Sequence, residues 1–398
     1  MYKEKYIKLL LEKCLNVKKN TPLFISYNII NREFVNDVVE YAKKLGIKDI
    51  YLNEINKEHE KYVLQKYSLK ELKTHPLFNS KAWDEYAEKG AAFLALETEL
   101  PKIMDNVDLE KLSFAISLKI KSKPLFRKKQ MSSEIPWCIA IVPNEMWAKE
   151  LFKDSENPLK EFWKVLAKIC MLDKDDPIKE WDEFLIDQKK MINKLNDLKI
   201  SKLYYKNEYG TDLEISLNEN ALWQGACTGN FIANMPSYEV FTVPDYKKTT
   251  GIVYSTKPLF YNGKEIKDFY LKFDHGKVIE FGAKKGKDIL QDIINTDSAA
   301  SFLGEVALVN YNSPISKTNI VFNTTLIDEN ASCHLALGSG YPECIKNGTK
   351  LNNSELKKLN VNISKAHVDF MIGSKKMLIE ADTKNGKITL MKDGNLII

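Results

Sequence analysis

Apolar residues in the first part of the chain recur at the spacings of strands and helices. Residues 21–27 (TPLFISY) form a short apolar run that predicts a strand. Residues 34–45 then place their apolar side chains on one helical face, and Gly46 follows as a helix stop. Residues 49–52 predict the next strand. A strand, a helix and a strand in succession form a βαβ unit, so the sequence predicts parallel pairing here.

The pattern changes near residue 200. Before it, the apolar runs at residues 91–96 and 137–142 predict buried parallel strands, and residues 158–172 and Pro177–Leu198 predict helices. After it, apolar and polar residues alternate, as in residues 213–217, which is typical of half-buried strands. Hairpin-type turn signals follow at Asp274-His275-Gly276, Asn385-Gly386 and Asp393-Gly394.

These patterns predict two domains. We expect residues 1–195 to form an α/β domain with a mainly parallel sheet, and residues 196–398 to form a β-rich α+β domain that is catalytic. A length of 398 residues agrees with two domains of about 100–200 residues each. The net charge of +5, from 59 basic and 54 acidic residues, does not indicate a nucleic-acid partner.

Several features predict a cytoplasmic protein without a membrane partner. No apolar run approaches the roughly 18 residues that a membrane helix needs. The N-terminal segment mixes Lys and Glu with its apolar residues, which is typical of an amphipathic helix and not of a signal peptide. The six cysteines show no C-x-x-C pairing, so we expect reduced and buried thiols.

Common catalytic motifs are missing from the sequence. Residues 282–287 (GAKKGK) lack the spacing and the final Ser or Thr of a phosphate loop, and there is no G-x-S-x-G segment. His59 lies in a charged helical stretch and His75 precedes a proline, so we expect both at the surface. His275 lies in a predicted hairpin turn.

The two other histidines lie near carboxylates. His367 and Asp369 are two residues apart on a predicted strand, so their side chains project from the same face and suit a divalent metal ion. His334 lies in the apolar run 332–338. Simpler alternatives are a surface His–Asp pair at 367 and 369 and a hydrogen-bonded core histidine at 334.

Three glutamates in the second half extend this set. Glu239 and Glu305 lie inside apolar runs, and Glu329 precedes His334 by five residues. A buried carboxylate is costly unless it is paired or bound to a metal ion. With Asp369, the four carboxylates carry a charge that two divalent ions would balance, and neutral imidazoles would complete the shell. The sequence therefore predicts a two-ion site.

These segments resemble the aminopeptidase T, aminopeptidase S and PepS family of metallo-aminopeptidases. The resemblance covers nearly the whole chain, in matching order, and it rests on residues 136–152, 211–217, 234–244, 303–308, 325–342 and 367–369. Two local departures are Tyr238, where the family usually has a small residue, and Ser339-Gly340, where an Arg-containing version is common.

The resemblance implies a metal site, a reaction and a homodimer. The implied metal-site residues are Glu239, Glu305, Glu329, His334, Tyr341, His367 and Asp369. Glu239, Glu305 and Tyr341 are also expected to act in catalysis. The implied cofactors are two divalent ions per chain, which are zinc, cobalt, manganese or magnesium. The expected substrates are peptides with a free N-terminus, whose first peptide bond is hydrolysed by a water that the ions activate.

Two alternatives stay open on the sequence. The first is another two-metal hydrolase, such as a phosphoesterase, because such sites use similar ligands. The second is a metal-binding protein without turnover. The general base is also open among Glu239, Glu305 and Glu329.

Overall fold

The chain folds into two compact units. The structure is a computed structural model that describes residues 2–261 and 263–398. The first unit is Met1–Trp181 with Cys227–Met235, and the second is Asp182–Ala226 with Pro236–Ile398. The division after residue 181 and the predicted division after residue 195 both lie within the helix Pro177–Leu198. Within the described residues, no helix is both long enough and apolar enough to cross a bilayer.

The first unit is built on a five-stranded parallel sheet. Its strands are β1 (Leu23–Asn28), β2 (Ile50–Ile55), β3 (Ala92–Glu97), β4 (Trp137–Ile141) and β10 (Asn234–Met235). Their spatial order is β10-β4-β3-β1-β2, and every pairing is parallel. All six residues of β1 are buried, including Ser26 and Asn28, as expected of a parallel strand that is covered on both faces. β8 (Cys227–Thr228) and β9 (Phe231–Ile232) form a short antiparallel pair.

Helices occupy most of the connections in this unit. They are α1 (Tyr2–Lys8), α2 (Arg32–Lys44), α3 (Lys57–Lys66), α4 (Leu69–Leu72), α5 (Ala82–Glu88), α6 (Leu109–Lys121), α7 (Pro124–Met131), α8 (Glu145–Leu151) and α9 (Pro158–Ile169). The π-helical segment Leu9–Cys14 continues α1. α10 (Pro177–Leu198) then leads into the second unit. The apolar face of α2 is buried, as its sequence predicts.

The second unit contains a nine-stranded antiparallel sheet, the large sheet. Its strands are β5 (Lys202–Lys206), β6 (Asp212–Leu217), β12 (Pro244–Tyr254), β13 (Leu259–Tyr261), β14 (Lys264–Asp274), β15 (Lys277–Lys285), β19 (Leu378–Thr383), β20 (Gly386–Lys392) and β21 (Asn395–Leu396). Their order is β13-β14-β12-β6-β5-β19-β20-β21, and β15 pairs with β14. The three predicted turns each join consecutive strands of this sheet.

A second antiparallel sheet of this unit, the site sheet, has five short strands. They are β7 (Gln224–Gly225), β11 (Val240–Thr242), β16 (Leu303–Leu308), β17 (His334–Gly338) and β18 (His367–Met371), in the order β18-β17-β16-β11-β7. The helices α11 (Lys287–Ile294), α12 (Thr325–Asp328) and α13 (Asn353–Lys358) complete the unit. The predicted fold class is therefore confirmed.

The two faces of the site sheet have different partners. On one face, Val306, Leu335 and Phe370 join a hydrophobic core that also contains Leu213 and Leu271 of the large sheet. Because successive side chains of a strand point to opposite faces, the residues between these apolar positions project from the other face. That second face carries the polar residues described below.

A β-bulge at Gly304 sets the orientation of Glu305. Leu303 pairs with Leu337, but Glu305 pairs with Ala336, so Gly304 is an extra residue in β16. Without the bulge, Leu303 and Glu305 would share a face. With it, Leu303 points into the core and Glu305 points away from it. A Cβ atom on Gly304 would lie 2.3 Å from the carbonyl oxygen of Gly338, so this position has no room for a side chain.

We expect Gly304→Ala to destabilise the protein. The added methyl group would press on backbone atoms, and overpacking of this kind costs about 1–3 kcal/mol. Urea unfolding, followed by circular dichroism, should show a lower midpoint. The matched control is Gly282→Ala in β15, where the three atoms nearest to the methyl group belong to the half-buried side chain of Tyr270 and not to the backbone. Equal midpoints for the two variants would contradict this role of the bulge.

Candidate metal centre

The predicted site residues lie together at the second face of the site sheet. Glu305 in β16, Ala336 in β17 and Asp369 in β18 are direct cross-strand neighbours, so they project side by side. His334 begins β17 and His367 begins β18. Neighbouring strands are about 4.8 Å apart, so β17 lies between the strands that carry Glu305 and Asp369. The carboxylates of Glu305 and Asp369 can approach each other only because the residue between them, Ala336, is small.

Two groups of potential ligand atoms share Glu305. In the first, His334 Nε2 lies 2.9 Å from Glu239 Oε2 and 3.8 Å from Glu305 Oε1. In the second, His367 Nε2 lies 3.4 Å from Glu305 Oε2 and 3.5 Å from Asp369 Oδ1. The ligand atoms of each group lie within 4.8 Å of one another. Glu305 thus presents one oxygen to each histidine.

Backbone carbonyl groups orient both imidazole rings. Nδ1 of His334 lies 3.1 Å from the carbonyl oxygen of Ser332, and Nδ1 of His367 lies 2.7 Å from that of Ser339. A carbonyl group can only accept, so Nδ1 carries the proton and donates it. In a neutral ring, Nε2 then keeps its lone pair and directs it at the carboxylates. In metal-binding histidines, the ring nitrogen that does not bind the ion usually donates a hydrogen bond of this kind.

The carboxylates lack the hydrogen bonds that burial demands. Glu239 and Glu305 are 6% and 4% exposed, yet Oε2 of each is buried without an aligned hydrogen bond to the described residues. When the imidazole is neutral, the 2.9 Å contact of Glu239 Oε2 with His334 Nε2 therefore brings two hydrogen-bond acceptors together. A buried carboxylate oxygen that faces an imidazole lone pair needs a cation between them. The residues present fit a divalent metal ion.

The pKa values reflect the same crowding of negative charge. Burial, together with repulsion from Asp369 and Glu239, raises the pKa of Glu305 to about 7. Burial alone would lower the pKa of His367, but the charges of Asp369 and Glu305 outweigh it and raise that pKa to about 9. The pKa of His334 is raised in the same way by Glu239 and Glu305. Without a metal ion, protons supply the positive charge that the carboxylates require.

Glu329 and Tyr341 border these groups. Burial raises the pKa of Glu329 well above its usual range, and the charges of Asp369 and Glu239 add to the shift. The ring of Tyr341 meets the ring of His367 edge-on, with 4.8 Å between the centroids. Burial and the site carboxylates also raise the pKa of the Tyr341 hydroxyl well above its usual range. All seven predicted residues therefore converge, and their individual roles stay predictions.

Comparison with known proteins identifies the family of this chain. The model of the family described as "Thermophilic metalloprotease (M29)" matches residues 2–396. The chain belongs to this M29 metalloprotease family. The resemblance noted in the sequence is thereby confirmed, together with the metallopeptidase class.

Named relatives of the M29 family cover almost the whole chain. Aminopeptidase AmpS of Bacillus subtilis (strain 168) is 35% identical over 98% of this chain and 97% of its own length. Aminopeptidase 2 of Geobacillus stearothermophilus is 34% identical over 96% of this chain and 94% of its own length. The solved structure of wild-type AmpT from Thermus thermophilus superposes with a TM-score of 0.90 at 28% identity, over 100% of this chain and 99% of that one.

The remaining histidines of this M29 chain lie outside the two ligand groups. His59 is exposed on α3, and His75 accepts a hydrogen bond from the backbone N–H of Leu77. His275 has a φ of 46° in the β14–β15 turn and lies 2.9 Å from Asp274. His59 and His275 lie where the sequence predicts them, whereas His75 is half-buried against the rings of Tyr67 and Phe78 and not fully at the surface.

Several residues around the centre were not predicted from the sequence. Ala336 lies between Glu305 and Asp369. The sequence indicates this position only by the small size of the residue two positions after His334 on the same strand. Asn330 is fully buried and accepts a hydrogen bond from the N–H of Tyr238. Gln188 lies on α10, far away in the sequence, and no motif pointed to it.

We expect Ala336→Leu to weaken metal binding. The larger side chain would project into the space between Glu305 and Asp369. Overpacking of about 1–3 kcal/mol corresponds to a loss of roughly 5- to 150-fold in affinity. Titration calorimetry with Zn²⁺ measures the change, and Ala336→Gly is the matched control that leaves the space open. Unchanged affinity in a folded Ala336→Leu variant would contradict this arrangement.

Proposed function

We propose that this chain is a metallo-aminopeptidase that removes the N-terminal residue from peptides at a centre of two divalent ions. The observation that carries the proposal is the sharing of Glu305 between two histidine–carboxylate groups. The names of the relatives, among them Aminopeptidase AmpS and Aminopeptidase 2, support the substrate class.

Two overlapping ligand sets would hold the ions. Glu239, Glu305 and His334 form one set, and Glu305, His367 and Asp369 form the other. With Glu329, the four carboxylates balance the charge of two divalent ions, and the imidazoles stay neutral. Nitrogen and oxygen ligands suit zinc, cobalt and manganese, and the carboxylates suit magnesium as well.

The residues around the ions have separate tasks in this proposal. Bound divalent ions supply Lewis acidity, which polarises the scissile carbonyl group and acidifies the attacking water. Glu329 lies within electrostatic range of both ligand sets but belongs to neither, so it is the best-placed carboxylate to accept a proton. The Tyr341 hydroxyl donates a hydrogen bond to the oxygen on which negative charge develops.

Recognition of a free α-amine by the carboxylates and ions would confine cleavage to the first residue. A free α-amine has a pKa near 8, so it can either carry a positive charge or offer a lone pair. Both forms suit a pocket of carboxylates and metal ions. Recognition of the amine would place the first peptide carbonyl, and no later one, at the site of attack.

The cytoplasmic location and the homodimeric state of the protein are also part of this proposal. Cys14, Cys138, Cys170, Cys333 and Cys344 are free and buried thiols, which supports a reducing compartment such as the cytoplasm. The homodimer is proposed from the family resemblance. Neither statement affects the assignment of the site residues.

We expect hydrolysis to depend on both metal ions and their ligands. Exhaustive chelation should abolish cleavage of a leucyl peptide, and Zn²⁺, Co²⁺ or Mn²⁺ should restore it. Glu305→Gln and His334→Ala should stay inactive after metal is added back, with losses on the order of 10³-fold or more. Activity assays with metal analysis of each variant measure this.

The controls for this prediction are His59→Ala and His75→Ala, which should recover like the wild type because both residues lie outside the ligand groups. Full activity with no detectable metal would contradict the proposal. Equal behaviour of all four variants would show that the ligands are wrongly assigned.

We further expect cleavage to require a free N-terminus. A short peptide should yield a ladder of products that shorten by one residue at a time. Its N-acetylated twin should stay intact, because acetylation removes the basicity of the amine and adds bulk. Mass spectrometry over a time course compares the two peptides. Equal cleavage of both, or a first cut inside the chain, would exclude an aminopeptidase, and turnover of phosphate esters alone would favour a phosphoesterase.

A further inference from the structure

Glu239 has the weakest backbone support of the ligands in the two groups. Glu305, His334, His367 and Asp369 lie in paired strands, where ladder hydrogen bonds fix the main chain. Glu239 instead immediately precedes β11, and the ladder between β11 and β7 begins with the pair Val240 and Gly225. A flexible backbone at Glu239 would leave its carboxylate poorly placed.

The side chain of Gln188 continues this ladder by one step. The antiparallel register pairs residue 241 with 224 and residue 240 with 225, so the next pair would be Glu239 and Ala226. Gln188 Nε2 donates to the carbonyl oxygen of Glu239 at 2.9 Å, and Gln188 Oε1 accepts from the N–H of Ala226 at 3.0 Å. One side-chain amide thus lies between two backbone groups that would otherwise face each other.

Gly225 gives the Gln188 side chain the space that it needs. A Cβ atom on Gly225 would lie 2.6 Å from Gln188 Oε1 and 2.9 Å from Ile192 Cδ1 on the same helix. Gln188 is only 8% exposed, so it cannot move aside into solvent. The absence of a side chain at residue 225 therefore permits the approach of α10 to the strand.

Asn330 holds the other side of the same segment. Its Oδ1 accepts from the N–H of Tyr238 at 2.6 Å, and its Nδ2 lies 3.5 Å from Glu329 Oε1. The residue is fully buried, and its carbonyl oxygen accepts from the Ser313 hydroxyl at 3.1 Å. The backbone that carries Glu239 is therefore fixed both before and after its Cα atom.

We propose that Gln188 is a positioning residue of the metal centre, which acts through Glu239. Its amide fixes the carbonyl group of Glu239 and thereby orients the carboxylate toward His334 and Glu305. Gln188 itself touches neither the reacting atoms nor an ion. This inference rests on the proposed function, because it presupposes that Glu239 binds metal.

The test compares Gln188→Met with Lys189→Met. Methionine keeps the length of the Gln188 side chain but removes both hydrogen bonds, and Lys189 is an exposed neighbour on the same helix. Zn²⁺ affinity is measured by competition with a chromogenic chelator. Loss of an outer-shell partner typically weakens metal binding by about 10- to 100-fold, so we expect this loss for Gln188→Met and none for Lys189→Met.

A double-mutant cycle with Glu239→Ala shows whether Gln188 acts through Glu239. In the Glu239→Ala background, Gln188→Met should cause no further loss of Zn²⁺ affinity. Additive losses would overturn the positioning role. If Gln188→Met does not fold, Gly225→Ala replaces it in the same cycle, because it displaces the amide without removing it.

The outcomes separate this inference from the proposed function. Wild-type Zn²⁺ affinity in Glu239→Ala would overturn the metal centre itself. A clear loss in Glu239→Ala, with wild-type affinity in a folded Gln188→Met variant, would overturn only the role of Gln188. A lower melting temperature of Gln188→Met with unchanged Zn²⁺ affinity would likewise assign it a merely structural role.

Discussion

The structure depends on the cost of burying several carboxylates in one place. Glu239, Glu305 and Glu329 are all buried, and Asp369 lies beside them. Such groups repel one another and lose their hydration, so they need compensating positive charge. The raised pKa values of Glu305 and Glu329 describe the metal-free protein, in which protons meet part of that need. Two divalent ions would meet it without protonating the ligands.

The fold concentrates this charge on one face of a sheet whose other face is part of a hydrophobic core. Strand alternation separates the two faces, and the Gly304 bulge turns Glu305 to the polar one. Backbone carbonyl groups then direct Nε2 of both histidines toward the carboxylates. Glu239 lies outside the ladder, and side-chain amides take over its support. The backbone of the sheet thus positions the carboxylates of Glu305 and Asp369, and side-chain amides position that of Glu239.

Much of this arrangement could be predicted from the sequence, because it depends on local patterns. Short apolar runs indicate the parallel strands, and acidic residues inside apolar runs indicate the site. Long-range register was not predictable: the bulge at Gly304, the approach of Gln188 and the membership of Cys227–Met235 in the first unit depend on tertiary contacts. One helix was also predicted too long. It ends at Ile169 because Met171 adopts a positive φ of 58°, which a helix cannot contain.

The central claim, made as a proposal, is that the two ligand groups that share Glu305 would each hold one divalent ion. Anomalous diffraction from crystals grown with Zn²⁺ tests it directly, because it locates each ion independently of activity. We predict two peaks, roughly 3.5–4 Å apart as in other two-metal sites, one beside His334 and Glu239 and the other beside His367 and Asp369, with Glu305 touching both. A single peak, or peaks away from Glu305, in fully loaded protein would contradict the account.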